Sequence, residues 1–367
     1  MRVTIAAGGT AGHVFPAIAL ARRLVEDHGA DVTFAGTPSG QEARLVPDAG
    51  FRLETIEAAP VVRRLSVRNV RAPYVVARSL GHAAAIVRGS DVVVGMGGYV
   101  SVPVALAALR ARRPLVLHEQ NAVPGLANRA LSRPARVVAL AFADAARLLS
   151  RRVASVVTGN PVRAPILSVR SSRDALRAEA ADTFGLDVGR RTLVVFGGSQ
   201  GASRVNGAVV DAIGLMRERR DLQVLLITGP AHHDAIRASL PRDGEVLVRT
   251  VGFLDRMELA YAAADLVLSR SGATTVAELT VCGLPSILVP YPYATGRHQE
   301  ANAKALQRAG AATVVMDEAL SGPMVVRRVG DLIGSAERLD AMRDRAATWA
   351  HPDADRELAD VVIGAAR

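Results

Sequence analysis

The segment Gly8-Gly9-Thr10-Ala11-Gly12-His13 stands between an apolar run, Val3 to Ala7, and a stretch with apolar residues at helical spacing, Phe15 to Leu24. That order reads as a strand, a tight turn and the start of a helix. Such a turn aims unpaired backbone N–H groups at whatever lies above it. With the helix dipole, worth ~0.3 to 1 kcal/mol for a nearby anion, those donors suit a phosphate or pyrophosphate. His13 stands beside that ligand, either as a cap or surface residue or as a participant in its chemistry.

Four more stretches place polar residues directly after apolar strands, where α/β proteins keep ligand-contacting groups. In Gly95 to Leu109 the pair Gly97-Gly98 is followed by the hydroxyls of Tyr99 and Ser101. His118, Glu119, Gln120 and Asn121 open the next stretch, and each serves equally as a local cap or as a ligand contact. Ser269 to Leu279 is a strand end, a small-residue turn and a helix whose first turns carry Glu278. That carboxylate either complements the helix dipole or accepts both hydroxyls of a ribose. The fourth run ends in His298, Gln299, Glu300 and Asn302, an ordinary solvated helix start or a further set of ligand contacts.

These residues need a scaffold, and the chain alternates apolar strands with helical stretches throughout, the pattern of parallel sheets covered by helices. Strands are expected at Val3 to Ala7, Asp31 to Ala35, Asp91 to Gly95, Leu115 to His118 and Val137 to Leu140. The pattern restarts with Thr192 to Phe196, Gln223 to Thr228, Glu245 to Arg249, Leu266 to Ser269 and Ser286 to Pro290, and closes with Thr313 to Met316. "VTIAAGGTAGH" and "TLVVFGGSQGA" form a loose internal repeat, so Ser199, Gln200 and Gly201 belong to a second anion-cradling turn. The reading is α/β, with two Rossmann-like domains facing a cleft. Residues 1–160 and 166–340 are assigned to them, with a linker in Thr158 to Pro165 where Pro161 and Pro165 stop regular structure. The closing helical segment, about 345–367, can pack on the N-terminal domain.

Composition narrows the partners. The 367 residues are 50% hydrophobic, enough for two cores. The formal charge of +10 favours anionic ligands or anionic membrane. Aromatics are only 4%, and no basic strand is interleaved with them, which argues against nucleic acid. The single cysteine, Cys282, excludes a disulfide framework and a cysteine-based zinc site and points to a reducing compartment, the cytoplasm. Val61 to Arg88 interleaves Arg63, Arg64, Arg68, Arg71 and Arg78 with Val, Leu and Tyr74. It is either a soluble helix with a charged face or a patch that docks on an anionic leaflet.

Taken in order, "GGTAGH", "GGYVSVP", "HEQNAVPGLANR", "GNPVR", "GGSQGA", "SRSGATTVAE" and "HQEANA" resemble the motif series of the MurG family, the UDP-N-acetylglucosamine transferases of peptidoglycan synthesis. The resemblance runs from residue 3 to about 310 and implies the GT-B fold, with the acceptor in the N-terminal domain and the nucleotide sugar in the C-terminal one. It implies inverting transfer of GlcNAc from UDP-GlcNAc to the C4 hydroxyl of the muramic acid of lipid I, a polyprenyl lipid, giving lipid II and UDP. On the matching positions Thr10, Ala11 and Gly12 border the donor, with Tyr99 nearby. Asn121 touches the sugar, and Arg163 and Ser199 hold phosphates together with Gln200 and Gly201. Leu254 lies at the uracil, Ala273, Thr274, Thr275, Val276 and Ala277 run along the nucleotide, Glu278 takes the ribose, and Gln299 binds GlcNAc beside Asn302. One departure is visible: Ala11 stands where many relatives have glycine, which fits if its φ is negative.

Inverting transfer needs a base for the acceptor hydroxyl, and histidine titrates in the useful range. His13 and Glu119 compete for that role, or Glu119 orients His13, or His13 only hydrogen-bonds the substrate. A pyrophosphate held by a helix N-terminus and an arginine requires no cofactor or metal, though a divalent cation is compatible with it. The expected place is the cytoplasmic face of the cell membrane, bound peripherally, with other cell-wall enzymes as further partners. Two rival readings stand beside this one: a transferase of the same fold acting on a soluble acceptor, and a non-catalytic nucleotide-sugar-binding scaffold.

Overall fold

The apolar runs of the first half pair as parallel strands: β1 (Arg2–Ala6), β2 (Asp31–Gly36), β3 (Arg52–Thr55), β4 (Val92–Gly95), β5 (Leu115–Glu119), β6 (Val137–Leu140) and β7 (Ser155–Val157). Their order in the sheet is β3-β2-β1-β4-β5-β6-β7. The helices between them are α1 (Ala11–His28), α2 (Glu42–Asp48), α3 (Ala72–Val87), α4 (Ser101–Arg110) and α5 (Leu126–Leu131). This computed structural model describes residues 1–57, 72–198, 202–241 and 243–367, without the side chains of 72–77.

Alternation along the strands divides the first core in two. Val3, Ile5, Val92, Val94 and Val116 pack with Val14, Leu20 and Leu24 of α1 on one face. Ala6, Val93, Leu115, Leu117, Val138 and Leu140 meet Val104 and Ala108 of α4 on the other. Strands buried on both faces read as continuous apolar runs, which is why the sequence exposes them. The edge strands β3 and β7 escape such a reading. The first is the polar run Arg-Leu-Glu-Thr, and the second has only three residues, all exposed.

A second parallel sheet, ordered β10-β9-β8-β11-β12-β13, holds β8 (Arg191–Phe196), β9 (Leu222–Ile227), β10 (Leu247–Val251), β11 (Leu266–Ser269), β12 (Ser286–Leu288) and β13 (Ala312–Val314). Around it lie α6 (Ala164–Leu167), α7 (Arg173–Phe184), α8 (Ser203–Leu215), α9 (His233–Ser239), α10 (Met257–Ala263), α11 (Ala273–Val281), α12 (His298–Arg308), α13 (Gly322–Ile333) and α14 (Ala336–Trp349). One unit comprises Met1–Arg163 with Pro352–Arg367, and the other Ala164–His351. The last helix, α15 (Ala354–Ala366), therefore returns to the first unit. It buries Leu358 and Val362 against that core and pairs Asp355 with Arg23 of α1 at 3.0 Å. Among the described residues no helix is long and apolar enough to cross a membrane.

In each sheet strand order reverses once, between β1 and β4 and between β8 and β11, and ligands of open α/β sheets gather at the carboxyl ends there. Ala6 lies opposite Gly95, and Met96 N–H donates to the Ala6 carbonyl at 2.9 Å, so the loops after β1 and β4 leave side by side. Phe196 opposite Ser269 does the same in the second sheet.

At the opposite, amino end of β11, Asp265 ties the second unit together. Its buried carboxylate accepts from Thr192 N–H at 2.9 Å and pairs with Arg177 of α7 at 3.3 Å, Arg191 at 3.4 Å and Arg343 of α14 at 3.6 Å. Burial opposes its charge, but the Thr192 amide and the arginines outweigh it and hold the carboxyl below the ordinary range. Its contribution is therefore full above the unfolded pKa of ~3.9 and is lost as pH falls through the lower folded value. Asp265→Asn should cost about 2 to 3 kcal/mol in urea unfolding at pH 7, and the gap between the two proteins should close below about pH 4.

Candidate active site

The first glycine turn is built around a buried acid. Glu42, at the start of α2, is fully buried; its Oε2 accepts from Gly9 N–H at 3.0 Å, and its Oε1 accepts from Thr37 N–H at 2.9 Å and the Thr37 hydroxyl at 2.6 Å. A Cβ on Gly8 would fall 2.8 Å from the Glu42 carboxyl carbon and 2.8 Å from Val100, and Gly9 has φ +93°. The first glycine thus makes room for Glu42, and the second supplies the left-handed turn. Thr10 then takes extended φ/ψ as N-cap of α1 with no side-chain cap bond, so the helix N-terminus faces the switch point uncapped by that hydroxyl. Ala11 is the first helical residue and has no positive φ, so alanine fits there.

The second glycine pair packs on this turn. Gly97 and Gly98 have φ of +90° and +77°. A Cβ on Gly98 would lie 3.0 Å from the Gly8 carbonyl, and a Cβ on Gly97 would lie 3.3 Å from Cε1 of His13. The imidazole is therefore flanked by bare backbone, and Ser101 locks that loop with its hydroxyl toward the Gly97 carbonyl at 2.6 Å. The Tyr99 ring stands over Gly9, 3.2 Å from where its Cβ would be. On its other side, His13 Nδ1 lies 3.0 Å from Oε1 of Gln120, which is buried at the end of β5.

Glu119 is oriented away from that role. Its Oε1 accepts from Asn121 N–H at 3.0 Å, and its Oε2 accepts from Gly125 N–H at 3.0 Å and Asn128 Nδ2 at 2.8 Å. This carboxylate shapes the loop 120–125 and fixes Asn121 at its mouth, while Gln120 meets the Nδ1 of His13. His118, fully buried, donates from Nε2 to the Gly159 carbonyl at 3.0 Å and so joins β5 to the "GNPVR" turn. Burial lowers its pKa to about 4, against the Gly159 hydrogen bond and with help from nearby His13, so it is neutral at physiological pH. In that turn Asn160 is 3% exposed, and neither of its amide atoms has a hydrogen-bond partner among the described residues. Three residues on, the Arg163 guanidinium lies 4.3 Å above the Phe15 ring, which brings it to α1.

In the second unit, Gly272 is the N-cap of α11, whose partly exposed face carries Thr274, Thr275 and Ala277, while Ala273 and Val276 are buried. Glu278 is 6% exposed and accepts from the Tyr261 hydroxyl at 2.7 Å. Gln299 accepts from Tyr291 N–H at 3.0 Å through Oε1, and its carbonyl accepts from the Ser271 hydroxyl at 2.8 Å. Asn302, fully buried, donates to the Ser271 carbonyl at 3.2 Å and so locks the turn before α11 from beneath. Leu254 is half-buried in the loop after β10. Ser199, Gln200 and Gly201 lie outside the described residues, as do Arg63, Arg64, Arg68 and Arg71; Arg78 is described and pairs with Glu57 at 3.5 Å.

Glu42, Asn128, Asn160 and Tyr261 escape the sequence reading, and Gln120 enters it only as one of four polar residues. For Glu42 the available signal is an acid flanked by Gly36 and Gly40, whose Cβ atoms would both collide with it. The buried neutral His118 has a pH signature. Because its folded pKa lies below the unfolded value of ~6.5, stability is full above that value and declines as pH falls toward 4. His118→Asn should remove up to about 3 kcal/mol of pH-dependent destabilisation between pH 6.5 and 4, read from urea midpoints across that range.

Comparison with known proteins agrees with this fold. Residues 3–140 match the glycosyltransferase family 28 N-terminal domain, and residues 192–358 match the family 28 C-terminal domain. Two relatives carry the name UDP-N-acetylglucosamine--N-acetylmuramyl-(pentapeptide) pyrophosphoryl-undecaprenol N-acetylglucosamine transferase. The protein from Moorella thermoacetica is 43% identical over 99% of this chain and 98% of its own length. That from Acidothermus cellulolyticus is 44% identical over 100% and 98%. The crystal structure of Acinetobacter baumannii MurG matches with TM-score 0.79 and 30% identity, covering 99% of each chain. With its two Rossmann-like parallel sheets in the GT-B class, this chain belongs to the MurG family of glycosyltransferases.

Proposed function

We propose that the chain transfers GlcNAc from UDP-GlcNAc to the C4 hydroxyl of the muramic acid in lipid I, with inversion at the anomeric carbon, forming lipid II and UDP. The observation that carries this reading is His13, set at the switch point of the first sheet in the first turn of a helix that the Thr10 hydroxyl does not cap, and beside two glycine turns. The C4 oxygen attacks C1 as the bond from C1 to the β-phosphate oxygen breaks. The hydroxyl proton passes to His13 Nε2, and the electron pair leaves with UDP. His13 is the base, and Glu119 is a positioning residue, because its oxygens already hold Asn121, Gly125 and Asn128.

Donor contacts follow the family positions. Thr10, Ala11, Gly12 and Tyr99 border the sugar diphosphate, and Asn121 reaches the sugar. Arg163, Ser199, Gln200 and Gly201 meet the phosphates, while Leu254 and Ala273 to Ala277 line the nucleoside. Glu278, steadied by Tyr261, accepts the ribose hydroxyls, and Gln299 turns its amide nitrogen to GlcNAc because Tyr291 N–H holds its oxygen. Asn302 acts from beneath through Ser271. No cofactor enters this scheme, since helix N-termini and an arginine supply the charge that departing UDP requires.

The acceptor is lipid-linked, so the same reading places the protein peripherally at the cytoplasmic face of the cell membrane. There it serves peptidoglycan synthesis, and through it cell shape and division, alongside other cell-wall enzymes. Val61 to Arg88 supplies the basic and apolar residues for an anionic surface, at about 1 kcal/mol per basic side chain near the leaflet.

Purified protein given UDP-GlcNAc and a short-chain lipid I analogue should release UDP and form the disaccharide lipid, followed by mass. Simple sugars should not replace the analogue. His13→Ala should lower kcat by about 10²- to 10⁴-fold with little change in UDP-GlcNAc affinity. UDP-GlcNAc binding without any product would return the soluble-acceptor or scaffold reading. Glu278→Gln should raise the KM for UDP-GlcNAc by about 10- to 100-fold, from the loss of charged hydrogen bonds to the ribose; an unchanged KM would remove Glu278 from the donor site.

A further inference from the structure

Gln120 is the buried polar side chain closest to the base that the mechanism leaves without a task. It is 3% exposed, its Oε1 lies 3.0 Å from His13 Nδ1, and its Nε2 has no hydrogen-bond partner among the described residues. The orientation of this amide decides what the imidazole can do. With the carbonyl toward the ring, Nδ1 must carry the proton, and Nε2 keeps its lone pair. With the amide turned over, its NH₂ donates to a bare Nδ1, and Nε2 holds the proton and accepts nothing.

Neighbouring groups favour the first arrangement. The side-chain atoms near the end of β5 that lack a partner include two acceptors, His118 Nδ1 and Asn128 Oδ1. His118 and Gln120 are two apart across the end of β5, the spacing that sets alternate residues of an extended chain on one side. Turning the amide over would exchange the unpaired Nε2 donor for a third unpaired acceptor, whereas the carbonyl-to-ring arrangement keeps a donor near the other two. In a low-dielectric interior a donor among unpaired acceptors is favoured electrostatically over a further acceptor among them, so the carbonyl-to-ring arrangement is the one this setting supports.

We propose that Gln120 is a positioning residue which holds His13 in the Nδ1–H tautomer, so that Nε2 is free of a proton and can take the one released by the acceptor hydroxyl. This rests on the reading of His13 as the base. The other titratable groups on the elements around the ring are His118 and Glu119 of β5, Tyr99 in the loop before α4, Glu42 beneath the glycine turn, and Arg163 above Phe15. None of them is altered by substituting Gln120, and Gln120 itself carries no charge, so it sets direction without adding to the field.

The test is ¹⁵N NMR of histidine-labelled full-length protein, with the His13 resonances assigned through His13→Ala, together with the pH dependence of kcat. In the unsubstituted protein Nδ1 should show the shift of a protonated nitrogen and Nε2 that of a bare one; the reverse pattern overturns the proposal. Gln120→Ala should shift the ring toward the Nε2–H form and lower kcat by roughly 10- to 100-fold, with the KM for UDP-GlcNAc within about 2-fold. Gln120→Glu keeps an acceptor at Nδ1 and should retain the tautomer and more of kcat than the alanine variant. Its carboxylate stabilises the imidazolium, so the acidic limb of the kcat profile should move up by about 1 unit or more. An unmoved limb in Gln120→Glu, or an unchanged tautomer and kcat in Gln120→Ala while His13→Ala abolishes transfer, would overturn the inference. Transfer that survives His13→Ala overturns the base reading instead, and the NMR still decides the tautomer. If Gln120→Ala does not fold, the limb shift in Gln120→Glu decides alone.

Discussion

Everything at the candidate site depends on the parallel pairing of β1 with β4 at the point where strand order reverses. Ala6 opposite Gly95 sends two loops off the sheet at the same level, close enough that a Cβ on Gly98 would lie 3.0 Å from the Gly8 carbonyl. Only glycine backbone fits between them, and only glycine adopts the turns at 9, 97 and 98 without strain. The space so gained is filled by the His13 ring. In the second sheet Phe196 opposite Ser269 brings the carboxyl ends of β8 and β11 to the same level.

Beneath each loop lies a polar side chain that the interior does not welcome. Glu42 and Glu119 are buried carboxylates that accept from backbone amides, a hydroxyl and carboxamides, and Glu278 is held by a phenol. Burying a carboxylate is unfavourable, and neutral donors offset that only when nearly every lone pair is matched. Such groups add little net stability, but they leave a loop few alternatives. Gly9, Thr37, Asn121 and Gly125 each have one place to be because an oxygen waits there.

This division explains what the sequence could reveal. Parallel strands buried on both faces are apolar runs, and left-handed turns are glycines, so β1, β4, β5, β8 and β11 and the turns after them are visible as strings of letters. The edge strands β3 and β7 bury too little to leave such a mark. Among the site residues, His13, Asn121, Glu278 and Gln299 are polar letters at strand ends or early in the helices that follow, and the structure sets them at the carboxyl ends of the sheets. The partnerships are invisible locally. Glu42 serves a loop 33 residues away, and Gln120 serves a histidine 107 residues away. No periodicity joins such pairs; only the register of the sheet does.

The electrostatics around His13 follow from these constraints. A base at a helix N-terminus sits at the positive end of a dipole equivalent to about half a charge, which disfavours the imidazolium formed on accepting a proton. Further positive charge at the ring would weaken the base. His118, a nearby histidine on β5, is denied charge by burial that lowers its pKa to about 4. Gln120 meets the ring with a neutral amide. In the proposed reaction, negative charge gathering on a departing diphosphate at such an N-terminus would lower the cost of a cation at His13. In that scheme the element that opposes the imidazolium before bond cleavage would stabilise the leaving group during it, and the uncharged Gln120 and His118 side chains add no positive field of their own.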